Sequence, residues 1–173
     1  SYEDLLLDGL DEEKLRRIPQ DQEHSVAWII WHLSRIEDIT MNLLVAGRDQ
    51  VFTSGGWFEK THAPFKHTGN GTGMETVRAL SARVDIRALR QYRYEVGHAT
   101  RQIVATLTHQ DLKRKMDPER LERVMDEGAV DQAGMGVVDY WSRRDVSGLL
   151  LMPPTRHTIV HWNEAYRLIE MQK

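Results

Sequence analysis

The sequence predicts an all-α fold, a bundle of amphipathic helices around an apolar core. Three observations carry that prediction. Apolar residues recur with helical period through residues 26–44 and 85–108. No stretch alternates apolar and polar side chains as a half-buried strand does. Capping residues stand where helical runs begin: Ser25, Asp85, and Asp117 followed by Pro118. At 173 residues with 40% hydrophobic content, the chain fits one domain, residues 1–173.

The opening segment, residues 2–18, has a weak helical pattern built on Leu6, Leu7, Leu10, Leu15 and Ile18, interrupted by Gly9. Pro19 and the polar residues 20–23 end it. The second element is clearer. Ser25 is its expected N-cap and Gly47 its C′ residue. Between them Val26, Ile29, Ile30, Leu33, Ile36, Thr40, Leu43 and Leu44 form the apolar stripe. His32 lies on the edge of that stripe, with Arg35, Asp38 and Asn42 directed the other way. Trp31 is nearly opposite the stripe, which makes it a candidate contact for another element or another subunit.

Residues 48–73 read as a long irregular connection, with Gly55, Gly56, Pro64, Gly69, Gly71 and Gly73. Its glycines do not have the spacing of a phosphate cradle, and no Lys-Ser or Lys-Thr pair follows. A short helix is expected from Met74 to Arg83. A long one follows Asp85 to about residue 108, with Leu89, Tyr92, Val96, Ala99, Thr100, Ile103 and Leu107 on one face. Another short helix starts at Pro118. Gly128, Gly134 and Gly136 break the chain before Asp139, Tyr140 and Trp141. Pro153 and Pro154 mark the start of the last helix or a kink in it, and the helical pattern then runs from His157 to Ile169.

Composition narrows the chemistry. The net charge of −3 gives no reason to expect nucleic acid or an acidic membrane as partner. There are no cysteines, so disulfides, thiolate metal sites and a cysteine nucleophile are excluded. Any thiol would have to be a small-molecule cosubstrate. No apolar run approaches a membrane span and no signal-like segment opens the sequence, which predicts a cytoplasmic protein.

The most informative pattern is a set of three histidines. His157 and His161 are four residues apart, which places them one above the other on a helix face. His32 stands far upstream in the most apolar helical run. Imidazole is a common ligand for Zn, Ni, Fe and Cu. Two histidines of one helix and a third from a facing helix would occupy three positions around one ion and leave the rest to water, as in an open site. Glu164 shares the histidine face and is the candidate catalytic residue: a fourth ligand, a general base, or a partner that orients a histidine. The orienting role is favoured, because three histidines and water already suffice. His24, His62, His67, His98 and His109 look less constrained, and His98 projects toward solvent.

These residues resemble the DinB-like superfamily, also known as the YfiT-like group of metal-dependent hydrolases. The matching pieces are residues 23–38, with His24, Trp28, Trp31 and His32, and residues 156–161. Residues 148–154 resemble one subgroup. The likeness extends from about Tyr2 to Arg167. It implies an up-down-down-up four-helix bundle, usually a homodimer. It also implies a divalent ion, most often Zn or Ni, on His32, His157 and His161. Some such proteins are transferases or isomerases that use bacillithiol, mycothiol or glutathione. The implied function is therefore a metal-dependent hydrolase, or a transferase or isomerase dependent on a low-molecular-weight thiol, acting on a small-molecule substrate. The alternative is a non-catalytic metal- or ligand-binding protein, stress-related, on the same bundle; a third reading has no metal at all. The first helix departs from the family pattern in being short and weak. That implies either residues upstream of Ser1 or a bundle edge covered by another subunit.

Overall fold

The computed structural model describes residues 2–173. Among them no strand forms; a single antiparallel bridge joins Lys115 to Asp145. No helix among the described residues is long and apolar enough to cross a membrane.

The chain opens with two short helices, α1 (Tyr2–Leu7) and α2 (Glu12–Arg16), separated at Gly9, whose φ of +71° no helix accommodates. The next helix, α3 (Val26–Asp38), begins at Ser25, whose hydroxyl accepts from the Trp28 N–H at 3.0 Å. It continues without a break into a π-helical segment, Ile39–Val45, and stops before Gly47 at φ +66°. Here the structure corrects an expectation. A two-faced helix was predicted, yet every residue from Val26 through Val45 is buried. The side bearing Arg35, Asp38 and Asn42 does not face water, because other elements close over it.

Residues 48–73 are less irregular than predicted. They hold two short helices, α4 (Val51–Ser54) and α5 (Trp57–Thr61), and only then an extended stretch. That stretch is fastened along α3 by three consecutive carbonyls. Lys66 O accepts from Arg35 Nε at 2.8 Å, His67 O from Trp31 Nε1 at 3.0 Å, and Thr68 O from His32 Nδ1 at 2.8 Å. Trp31 is therefore an intramolecular contact, fully buried against Phe52 and Phe65. Beneath the same cover, the fully buried Asp38 accepts from Tyr92 Oη at 2.7 Å and from the N–H groups of Val51 and Phe52 at 2.8 Å each, with the Arg35 guanidinium 3.6 Å away. Burial raises the Asp38 carboxyl pKa against the pull of Arg35.

Helix α6 (Met74–Arg83) forms with the predicted bounds. Helix α7 (Ile86–Thr106) starts at Asp85, which accepts from the Ala88 N–H at 2.7 Å, and lies along α3. Helix α8 (Pro118–Asp126) follows its Asp117 cap. Then come α9 (Met135–Ser142) and α10 (Val146–Leu151). Helix α10 was not anticipated. Its start is set by Asp145, whose side chain accepts from the Gly148 N–H at 2.9 Å. The two prolines do not begin the last helix. They sit in a second π-helical segment, Met152–His157, that joins α10 to α11 (Thr158–Glu170). Proline has no N–H to give, so carbonyls upstream lose their usual donors. The Thr155 hydroxyl donates instead to Leu150 O at 3.1 Å, and further along the Thr158 hydroxyl adds a bond to Pro153 O at 2.9 Å.

The core has two clusters. One gathers Trp28, Ile29, Leu80, Leu89, Tyr92, Trp162, Ala165 and Leu168; the other gathers Ile36, Leu43, Val45, Ile103, Val124, Trp141 and Leu149. Helix α3 and its π extension run through both. His32 lies near their junction, and α11 and the segment 152–157 pack against α3 there.

Candidate metal centre

His32 is held on a buried helix and is itself only 3% exposed. Its Nδ1 lies against a carbonyl, which can only accept, so Nδ1 carries the proton and Nε2 presents a lone pair. His157 closes the second π-helical segment, and His161 lies one turn further along α11. The structure brings the three together. One ligand nitrogen from each ring lies within 4.8 Å of the others, and His32 Nε2 is 3.1 Å from His157 Nε2. Ring centroids are 5.0, 5.0 and 4.6 Å apart for the pairs His32–His157, His32–His161 and His157–His161.

Glu164 lies beside the cluster and bridges two histidines. Oε2 accepts from His161 Nδ1 at 2.8 Å, and Oε1 accepts from His24 Nδ1 at 2.6 Å. Burial pushes its carboxyl up, but the hydrogen bonds from His161 and His24 outweigh burial and hold it at about 2. As a carboxylate it only accepts, which fixes the proton of His161 on Nδ1 and turns Nε2 toward the other two rings.

His24 is the residue that sequence reasoning missed. It stacks on Trp28 at 3.8 Å between centroids, and Trp28 stacks on His32 at 4.7 Å, so the three rings form one column. The signal was present. His24, Trp28 and His32 are spaced by four and four, the repeat of one helix face, although His24 itself precedes the cap Ser25. Gly69 lies over the column at φ +83°, where a Cβ would come within 3.2 Å of the Trp28 ring. Of the other histidines, His62, His98 and His109 are exposed. His67 stacks on Phe65 at 4.1 Å and stands 3.8 Å from Asp131, away from the cluster.

The electrostatics favour neutral rings at His32 and His157. Burial, followed by the neighbouring His157, lowers the His32 pKa to about 3. Burial and then His161 lower His157 to about 4. Neutral imidazoles are what a metal needs. The donor set tests whether one fits. The His32 Nε2 lone pair faces His157 Nε2, and His157 Nδ1 is buried with no hydrogen-bond partner. If His157 gives its Nε2 proton to His32, an unpaired Nδ1 lone pair remains inside the protein. A cation among the three Nε2 atoms would satisfy every one of their lone pairs at once. An all-nitrogen set in a chain without cysteine suits Zn, Ni or a related ion.

A cavity of about 320 Å³ opens beside His157. Ile36, Asn70, Val137, Tyr140 and Trp141 are among its walls.

A sequence model of the DinB superfamily matches residues 4–132. That span includes His24, His32 and Thr68 and ends before His157 and His161. The crystal structure of a conserved protein from Enterococcus faecalis resembles this one with a TM-score of 0.64 at 15% identity, covering 97% of this chain and 86% of that one. At that identity the likeness speaks for the fold alone. Comparison with curated proteins gives no match. The family model takes in well over half of the sequence, including the helix that carries His32 and the extended stretch that fastens it in place: the chain belongs to the DinB superfamily.

Proposed function

We propose that His32, His157 and His161 hold one divalent transition metal, Zn or Ni, and that the protein is a metal-dependent hydrolase or a transferase or isomerase that uses a low-molecular-weight thiol. The observation that carries this reading is the convergence of three imidazoles from two helical segments, with two Nε2 atoms 3.1 Å apart. When bound, the ion would supply Lewis acidity, lowering the pKa of a water or thiol toward neutrality. The chain's own residues do the rest. Thr68 O and Glu164 each hold an Nδ1 proton, which fixes the tautomers of His32 and His161. Glu164 acts on His161 and His24 rather than as a fourth ligand, since both of its oxygens are engaged. Three protein ligands leave positions open, and the cavity beside His157 gives a small molecule access to them. That access favours an enzyme over a closed binding protein.

The test begins with elemental analysis. Wild-type protein is expected to carry about one ion per chain, and His161→Ala to lose it. Equal metal content in the two sinks the reading. Zinc- and nickel-loaded protein should then be screened with small thiols and with generic esters and amides.

The proposal includes a homodimer. The short first helices leave a groove of about 770 Å³ lined in part by Leu7, Tyr94, Ile159 and Trp162. Tyr94 and Ile159 are each 61% exposed, and Val160 nearby is 60% exposed. A monomer mass by light scattering across micromolar concentrations would count against it.

A further inference from the structure

We propose that the cavity beside His157 receives a small, uncharged, largely apolar substrate with one hydrogen-bond acceptor, and that the side-chain amide of Asn70 binds that acceptor. The inference rests on the reading of the three histidines as the reaction centre.

The walls define the substrate class. Ile36, Val137, Tyr140 and Trp141 face the cavity together with His157, and no Asp, Glu, Lys or Arg side chain lines it. A charged group entering would lose its hydration without gaining a counter-charge. At about 320 Å³ the space is at the small end for ligand sites. A charged thiol would therefore approach from outside, and the cavity would take the partner on which the thiol or water acts.

Asn70 is the one side-chain amide in the wall, and its orientation is fixed. Thr68 Oγ1 donates to Asn70 Oδ1 at 2.7 Å, which engages the oxygen and leaves the Nδ2 hydrogens as free donors. Nδ2 makes no hydrogen bond among the described residues. The loop around Asn70 is tightly packed. A Cβ at Gly134 would come 3.2 Å from Asn70 Cβ and 2.8 Å from Val130 Cγ1, and Thr68 N donates to Ala129 O at 3.0 Å. One residue thus positions both halves of the site: the Thr68 carbonyl holds His32, and the Thr68 hydroxyl holds Asn70. A donor fixed in advance beside the ligand histidines is placed to hold a carbonyl or similar group at the centre.

The test titrates the full chain, zinc-loaded and chelator-stripped, with benzamide, toluene and benzoate. Nitrogen-15 NMR follows the Trp141 indole N–H and the Asn70 side-chain NH₂. Asn70→Asp keeps an acceptor for the Thr68 hydroxyl and removes the donor; Asn70→Ala removes both without adding charge. Benzamide is expected to shift both wild-type resonances in either metal state. It should bind wild type roughly three- to tenfold more tightly than either variant, the value of one hydrogen bond. Toluene should bind wild type and Asn70→Ala alike within about twofold, having no acceptor to lose. Benzoate should leave the stripped protein's resonances unmoved. The proposal is overturned if benzamide shifts neither resonance, if it binds wild type and both variants equally, or if benzoate binds the stripped protein as tightly as benzamide does. Zinc uptake without benzamide binding overturns this proposal alone. Benzamide binding without zinc uptake overturns the metal reading and leaves the assignment of the cavity standing.

Discussion

Replacing Glu164 with glutamine keeps the size of the side chain but removes its charge and one of its two acceptors, which makes it the sharpest probe of the site. The carboxylate accepts from two N–H donors, His161 Nδ1 at 2.8 Å and His24 Nδ1 at 2.6 Å. Glutamine retains one carbonyl oxygen, so it can serve only one of them, and its NH₂ must confront the other. Hydrogen bonds to a charged group contribute roughly 1.5–3 kcal/mol and neutral ones roughly 0.5–1.5. The Glu164 side chain is 24% exposed, so water takes up part of the loss. A destabilisation of about 1–3 kcal/mol is expected for the metal-free protein, read as a lower urea midpoint at unchanged slope. The larger effect should be on metal. With His161 no longer held in one tautomer, zinc affinity measured against a competing chelator should fall by about tenfold to a hundredfold. His24→Ala should weaken zinc less, and its effect should largely vanish in the Glu164→Gln background, because His24 acts through Glu164. Zinc affinity and urea midpoint both equal to wild type would refute the orienting role. A loss as complete as that of His161→Ala would refute it too, by making Glu164 a ligand.

Two further outcomes follow from groups already described. In chelator-stripped protein, stability should fall as pH drops from about 6.5 toward 4, by up to about 1.4 kcal/mol per pH unit for each of His32 and His157. The sign is fixed because the unfolded chain takes up protons near pH 6.5 that the folded rings, held at about 3 and 4, refuse. His157→Gln should shallow that slope in denaturation series across the range, and an unchanged slope would count against the burial of His157 as its cause. Asp38→Ala leaves the buried Arg35 and Tyr92 without their acidic partner. It should cost about 3–5 kcal/mol in chemical denaturation, and a cost below about 1 kcal/mol would show the network to be dispensable.

How much was legible depended on whether the signal was local. The caps Ser25, Asp85 and Asp117 and the bounds of α6 were readable because a capping side chain acts within its own turn. The His157–His161 pair was readable because helix geometry alone fixes its face. Helix α10 was not, since its Gly148 and the prolines that follow obscure the period and its start depends on the Asp145 side chain. Nor was the complete burial of α3. Arg35, Asp38 and Asn42 look like a solvated face until distant groups close on them: the Lys66 carbonyl takes Arg35, the Tyr92 hydroxyl and the N–H groups of Val51 and Phe52 take Asp38, and Asp38 in turn takes Asn42. The His24–Trp28–His32 column was hidden for a related reason: a histidine ahead of a helix cap takes its role from Glu164, 140 residues away.

The second π-helical segment, Met152–His157, has a consequence for how this protein can diverge. A π turn takes up about one extra residue, and each residue advances an α-helix by roughly 100°. Helices α10 and α11 therefore need not share a phase, and each turns its own apolar side to its own core cluster: Val146 and Leu149 in one, Trp162, Ala165 and Leu168 in the other. Met152 and Pro153 open the π-helical segment and border the cavity, His157 closes the segment, and His161 lies beyond it, anchored by α11. Substitutions at Met152 can reshape what the cavity admits while His161 keeps its aim, whereas a change in the length of the segment would move His157 with it, so the cavity and the metal site can diverge separately only through side chains that leave the turn intact.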